Sequence, residues 1–139
     1  MARKLIFLVS VIVCLSLAVA VFGEGKQEGG KNPIVIGFSS DASGNYADSG
    51  AADRRGMIMA IEEANANGGI LGREVTYVHE DTETDASVGA RKAQRLINRE
   101  NVDMLIGALS SSVATAISEV AQRNGVIYFN TNSSGDSVS

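Results

Sequence analysis

Residues 104–129, MLIGALSSSVATAISEVAQRNGVIYF, contain one whole strand–helix–strand unit, and their reading decides the fold. Met104–Gly107 is a short apolar run of the kind found in a strand buried on both faces. Ser110–Ser112 then opens a helical stretch in which Val113, Ala116, Ile117, Val120 and Ala121 fall at i, i+3, i+4, i+7 and i+8. That spacing draws a single apolar stripe along a helix. Gly125 ends the helix, because glycine accepts the left-handed conformation of a helix stop. Val126–Phe129 follows as another strand.

Working outward, the same unit recurs toward the N-terminus. Ile34–Phe38 is a β-branched run after Pro33, and Ser39–Ser49 reads as a polar loop. Gly50–Asn67 has a helical pattern, with Ile58, Ile61 and Ala64 at three-residue steps and Met57 beside them, stopped by Gly68 and Gly69. Glu74–Glu80 alternates as a second strand. Asp81–Asp85 is a polar loop, and Asp85 is placed to cap a helix over 86–100 by accepting a bond from a free N–H of its first turn. The order β-α-β-α-β-α-β predicts an α/β fold, an open parallel sheet with right-handed crossovers and helices on both faces.

Open parallel sheets take ligands at the C-terminal ends of their strands. Here those ends are 39–49, 81–85, 109–112 and 130–134, and three of the four are crowded with hydroxyls and amides: SSDASGNYADS, LSSS and NTNSS. The loop at 109–112 runs straight into a helix N-terminus, where free backbone N–H groups and the helix dipole favour an anion. Ser111 and Ser112 would add hydroxyl donors there. Two readings stay open at this point, a site for a carboxylate and a plain helix cap.

The N-terminus has the pattern of a secretory signal peptide over residues 1–23. Arg3 and Lys4 precede an uncharged stretch from Leu5 to Gly23, and Ala18-Val19-Ala20 is a small-x-small cleavage pattern, with Val21-Phe22-Gly23 as a weaker second. The alternative is an uncleaved anchor, since the stretch approaches the roughly 18 apolar residues that span a bilayer; Ser10, Cys14 and Ser16 dilute it. Val13 before Cys14 is too large for lipoprotein cleavage. Residues 24–32, EGKQEGGKN, read as a flexible leader, and 33–139 as the folded part.

Of 12 Lys+Arg and 16 Asp+Glu, Arg3 and Lys4 lie in the signal, so the remainder carries ten bases against sixteen acids, a net of −6. An acidic chain without a basic tract argues against nucleic acid or an anionic membrane surface as partner. The one cysteine, Cys14, belongs to the signal, which leaves no disulfide framework and no cysteine metal site. His79 stands alone in a strand with no evident Ser or Asp partner. Glu80, Asp81, Glu83 and Asp85 lack the glycine and terminal glutamate of a calcium loop, so they read as a solvated loop and a cap. Arg54 and Arg55 read as residues of the outer face of the first helix. Neither a nucleophile elbow nor a phosphate-binding glycine loop occurs. No metal or cofactor is implied.

Two stretches carry a family resemblance. GFSSDASGNYADSGAADRRGMIMAIEEANANGGILGR (37–73) and LIGALSSSVATAISEVAQRNGVIYFNTNSS (105–134) are together similar to the first lobe of type I periplasmic solute-binding proteins, nearest the branched-chain amino-acid-binding (Leu/Ile/Val) branch that feeds ABC transporters. The pieces that carry it are the SGxYA-type loop at 43–47, the turn at 64–73 and the IGxxSS element at 106–111. The resemblance implies ligand contacts from Leu109, Ser110 and Ser111 at the third helix, and from Asn132 and Ser134 after the fourth strand. It also implies contacts from Tyr46 and Ser49 in the first loop. Ser49 stands where relatives have Tyr, Ser134 where they have Thr, and Asn130-Thr131 replaces a frequent Ser-Pro, so a plain Leu/Ile/Val specificity does not follow. The resemblance further implies an extracytoplasmic protein that takes up an amino-acid-like small molecule by closing two lobes and docks on a membrane permease of an ABC transporter. Membrane contact would come only through that permease or an uncleaved signal. On this reading the chain holds a truncated first lobe, half a site, and apolar surface left open. An extracellular sensor domain and an enzyme on a flavodoxin-like sheet are the rival expectations.

Overall fold

The computed structural model describes residues 32–135. The expected signal peptide and leader, apart from Asn32, lie outside the described residues. Four strands and three helices alternate: β1 (Ile34–Ser40), α1 (Ala47–Ala66), β2 (Val75–Asp81), α2 (Ala86–Glu100), β3 (Met104–Gly107), α3 (Ser111–Asn124) and β4 (Ile127–Asn130). The strands form one sheet in the order β2-β1-β3-β4, with every neighbouring pair parallel. β1 is central and the chain runs first to one side of it and then to the other. Ser39 pairs with Gly107 on β3 and Glu80 on β2, which brings three strand ends to one edge.

Helices cover both faces, unequally. Against α2 and α3 lies a closed core of Leu96, Leu105, Val113, Ile117 and Val120, with Val35 and Tyr128 packed on it. Leu96, Leu105 and Ile117 are fully buried, each stabilising the fold by about 1.5–3 kcal/mol relative to an exposed side chain. On the opposite face α1 packs Ile61, Met57 and Ala64 onto Ile36, Val75, Tyr77 and Met104. α1 does not reach over β4, where Ile127 and Phe129 are 60% and 54% exposed. Among the described residues no helix is long and apolar enough to cross a membrane.

Two boundaries differ from the sequence reading by more than one residue. β1 continues through Ser39 and Ser40, both fully buried, because strand pairing satisfies their backbone even though the side chains are polar. α1 begins at Ala47 rather than at Gly50, so Tyr46 is its N-cap residue and Ser49 lies in its first turn. Gly50 has to be a glycine there: a β-carbon on it would lie 1.9 Å from the Asp41 carbonyl oxygen. α2 follows expectation, with Asp85 accepting a 2.9 Å bond from Val88 N. A bond from Ser87 Oγ, and then that from Val88 N, hold the Asp85 carboxyl below its ordinary value.

Candidate functional site at the strand ends

The loops after β1 and β2 are bound to each other by two carboxylates. Asp81, the last residue of β2, accepts from Ala42 N (2.8 Å), Ser43 N (3.2 Å), Ser43 Oγ (2.7 Å) and Glu83 N (2.9 Å). Burial opposes its ionisation, but the bonds from Ser43, Glu83 and Ala42 outweigh that and bring its pKa down to about 2. In the reverse direction Asp41, fully buried, accepts from Thr82 Oγ1 and, at 2.8 Å, from Thr84 N. Glu83 and Thr84 both take left-handed backbone with φ 56°, a conformation costly for non-glycine residues and held here by those two carboxylates. Asp53, on α1, has its carboxyl raised by burial and then by the Asp41 charge.

The loops after β3 and β4 are built differently. Gly107, at φ 127°, passes so close to β1 that a β-carbon would lie 2.0 Å from Ser39 O. Ala108 then adopts φ 72° and donates to Ser39 O at 2.8 Å. This bend turns the chain into α3. Tyr128 secures it from β4 by donating to Gly107 O at 2.9 Å, and burial raises its hydroxyl pKa. Ser110 is the N-cap residue of α3 yet makes no side-chain cap bond. Its hydroxyl instead meets Ser112 Oγ at 2.9 Å. The plain-cap reading of Ser110–Ser112 is therefore not what the geometry shows. Leu109 and Ser111 are half-buried at the edge of the sheet, and the Ser111 hydroxyl has no partner among the described residues.

After β4, Asn130 folds the next turn onto itself. Its amide donates to Ser133 O at 2.9 Å and its oxygen accepts from Ser133 N and Oγ at 3.2 and 2.7 Å. This ring leaves Asn132 and Ser134 exposed. Since Gly107 pairs with Asn130, the turn carrying Asn132 and Ser134 adjoins the one carrying Leu109, Ser110 and Ser111. Tyr46 and Ser49 lie at the start of α1, which follows β1, the neighbour of β3, and both are exposed. Among the described residues no group of three or more His, Cys, Asp or Glu is placed to hold a metal ion.

One pairing was missed in the sequence. His79 does have a serine partner: its Nε2 and the Ser40 hydroxyl share a 3.0 Å hydrogen bond, and its ring lies 5.6 Å from that of Phe38. Desolvation lowers its pKa, with the Arg54 charge adding to the effect. The only signal that could have found it is the parallel register, which sets β1 beside β2 so that Phe38 faces His79.

The chain is thus an open parallel α/β sheet with polar strand-end loops, in which α1 and α3 both begin without a side-chain cap bond. The chain belongs to the periplasmic binding protein family, whose model matches residues 33–139. Among relatives, it is 34% identical over 124 residues to Leu/Ile/Val-binding protein homolog 7 of Brucella abortus, covering 89% of this chain and 31% of that one. Among solved structures it resembles the branched-chain amino acid transporter substrate-binding protein LivJ of Streptococcus pneumoniae, in complex with isoleucine. That likeness has a TM-score of 0.74 and 28% identity, covering 77% of this chain and 31% of the other. A putative branched-chain amino acid ABC transporter of Silicibacter pomeroyi matches with a TM-score of 0.67 and 39% identity over 73% of this chain and 26% of its own. The chain thus spans about a third of the length of these relatives, and its sheet matches part of the type I periplasmic binding protein fold.

Proposed function

We propose that this chain is the ligand-holding first lobe, residues 33–139, of an extracytoplasmic solute-binding component of an ABC transporter. It binds an amino acid or a related small carboxylate or amide, and delivers it to a membrane permease. The observation that carries the reading is the N-terminus of α3: a cap residue with no cap bond, Ser111 with a hydroxyl that has no partner among the described residues, and the Asn132–Ser134 turn beside it. Backbone N–H groups of the first turn of a helix and neutral hydroxyls suit a carboxylate, since they supply donors without a competing charge. The names of the relatives support an amino acid as ligand. Leu109 and Ser110 then line the pocket wall, Asn132 and Ser134 lie against the ligand from β4, and Tyr46 and Ser49 close the rim. A second lobe would complete the cleft and shut on the ligand by a hinge motion. The segment 1–23 serves as the export signal and 24–32 as the tether to the fold.

The test uses a two-lobed form, made by joining this chain to the rest of its reading frame or to the second lobe of a relative. Its melting temperature is measured against a panel of amino acids, amides and small carboxylates. At least one amino acid or related carboxylate should raise it, because a ligand that binds only the folded state stabilises that state. No shift from any member of the panel would overturn the reading.

A further inference from the structure

On the far side of α1 from β3 and β4 there is a recess that the proposed amino-acid site does not use. It has a volume of about 290 Å³ and is lined by Ser40, His79, Arg54 and Arg55, with Gly50 and Ile58 between them. The rows 47, 51, 55 and 50, 54, 58 run down one side of α1 at four-residue steps, which sets both arginines on the side that faces β2. The small residues Ala47, Gly50 and Ala51 at the top of these rows leave the space open. Its floor is the Ser40–His79 hydrogen bond, and Ser40 is only 1% exposed.

The charges around the recess are unbalanced. Neither Arg54 nor Arg55 makes an ion pair or side-chain hydrogen bond among the described residues. The two acids whose charges act on His79 are already engaged: Asp81 is held by Ala42, Ser43 and Glu83. Glu80 is paired with Arg95 at 3.1 Å and Lys92 at 4.0 Å, both on α2. Two free guanidinium groups over a polar floor suit the planar or tetrahedral oxygens of an anion, which they can hold in bidentate fashion. The recess also opens at the first turn of the 20-residue α1, where the helix dipole favours an anion although Asp48 lies in the same turn.

We propose that Arg54, Arg55, His79 and Ser40 form a second binding site, for a small molecule bearing an oxyanion group, either a carboxylate or a phosphate. The arginines hold the oxygens, the Ser40–His79 pair contacts the buried end, and the site works independently of the loops after β3 and β4.

His79 is the sole histidine of the chain, so its ring protons are an unambiguous NMR reporter. The full chain is titrated with inorganic phosphate and, separately, with succinate, at ionic strength matched with sodium chloride. Burial and then Arg54 on α1 lower the ring's pKa, and Asp81 and Glu80 on β2 and Ser40 on β1 act in the opposite direction; Arg55 also lines the recess. A bound anion offsets the two arginines, so His79 should shift saturably and protonate at higher pH than in chloride. Replacing both arginines (Arg54→Gln with Arg55→Gln) should weaken that response at least tenfold. The exposed Arg123→Gln, which removes the same kind of charge from α3, should leave it unchanged. Both arginines are exposed, and an unaltered backbone amide spectrum confirms that the variant is folded. The stronger of the two anions distinguishes a phosphate site from a carboxylate site. A response that is absent, that never saturates, that survives loss of both arginines, or that Arg123→Gln weakens equally overturns the proposal.

Discussion

The loops at the ends of β1 and β2 and those at the ends of β3 and β4 draw on the same polar residue types, yet they are held in opposite ways. In the first pair the carboxylates of Asp41 and Asp81 reach across and take up the neighbouring loop's donors. In the second pair the bonds are mostly local: Asn130 closes its own turn, Ser110 meets Ser112, and the Ser111 hydroxyl and the Asn132 and Ser134 side chains have no partner among the described residues. A cross-linked pair of loops makes a rigid wall, and a pair with spare donors on fixed turns is what the proposed site draws on. The contrast between the two pairs is whether a hydrogen-bonding group already has a protein partner.

The largest effect that would break the comparison is at Asp81. Asp81→Ala removes the acceptor of four bonds, and hydrogen bonds to a charged group are each worth about 1.5–3 kcal/mol but do not add independently. A loss of about 2–3 kcal/mol in urea unfolding is expected; a negligible loss would show that the loops are not held by this carboxylate. The same residue gives a pH signature. Its folded pKa, about 2, lies below the ordinary 3.8, so its stabilisation is fully present above 3.8 and is lost as pH falls from there toward about 2. Asp81→Asn should flatten that part of the acid-unfolding profile.

Next in size is Asn130→Ala, which opens the turn after β4 and should cost about 1 kcal/mol in thermal unfolding. His79 gives a smaller effect of opposite charge type. Its folded pKa is lowered from 6.5, so the unfolded chain binds a proton more readily and stability falls as pH drops below 6.5. His79→Gln should remove that slope from a plot of melting temperature against pH. Smallest of all, Asn132→Ala and Ser134→Ala should change stability by less than about 0.5 kcal/mol. A larger loss would mean that these groups are structural after all and would erase the contrast between the two pairs of loops.

Much of this architecture is legible in the chain because its signals are local. The stripe from Val113 to Ala121, the stop at Gly125 and the cap at Asp85 are local signals, and the structure bears them out except that Ala114 is buried in the stripe where Ala116, only half-buried, was expected. What could not be read depends on partners far apart in sequence. Ser39 and Ser40 look like loop residues because nothing beside them shows that β2 and β3 will bury them. The Ser40–His79 bond spans 39 positions and the Asp41–Thr84 bond 43. The start of α1 was hidden for another reason: Ala47-Asp48-Ser49 has no apolar periodicity, and Tyr46 is not a capping residue. At the candidate site the resemblance named the residues, and only the geometry separated Ser110, engaged with Ser112, from Ser111.

The most direct test of the central claim is calorimetric titration of an amino acid or related carboxylate into the two-lobed protein with and without Ser111→Ala. The account predicts an affinity weaker by about 1–3 kcal/mol, because a bound carboxylate is left short of one donor. That is roughly a five- to 150-fold change in Kd, with the melting temperature of the unliganded protein unchanged. Equal affinity in the two proteins would contradict it and leave Ser111 as an ordinary residue of the first turn of α3.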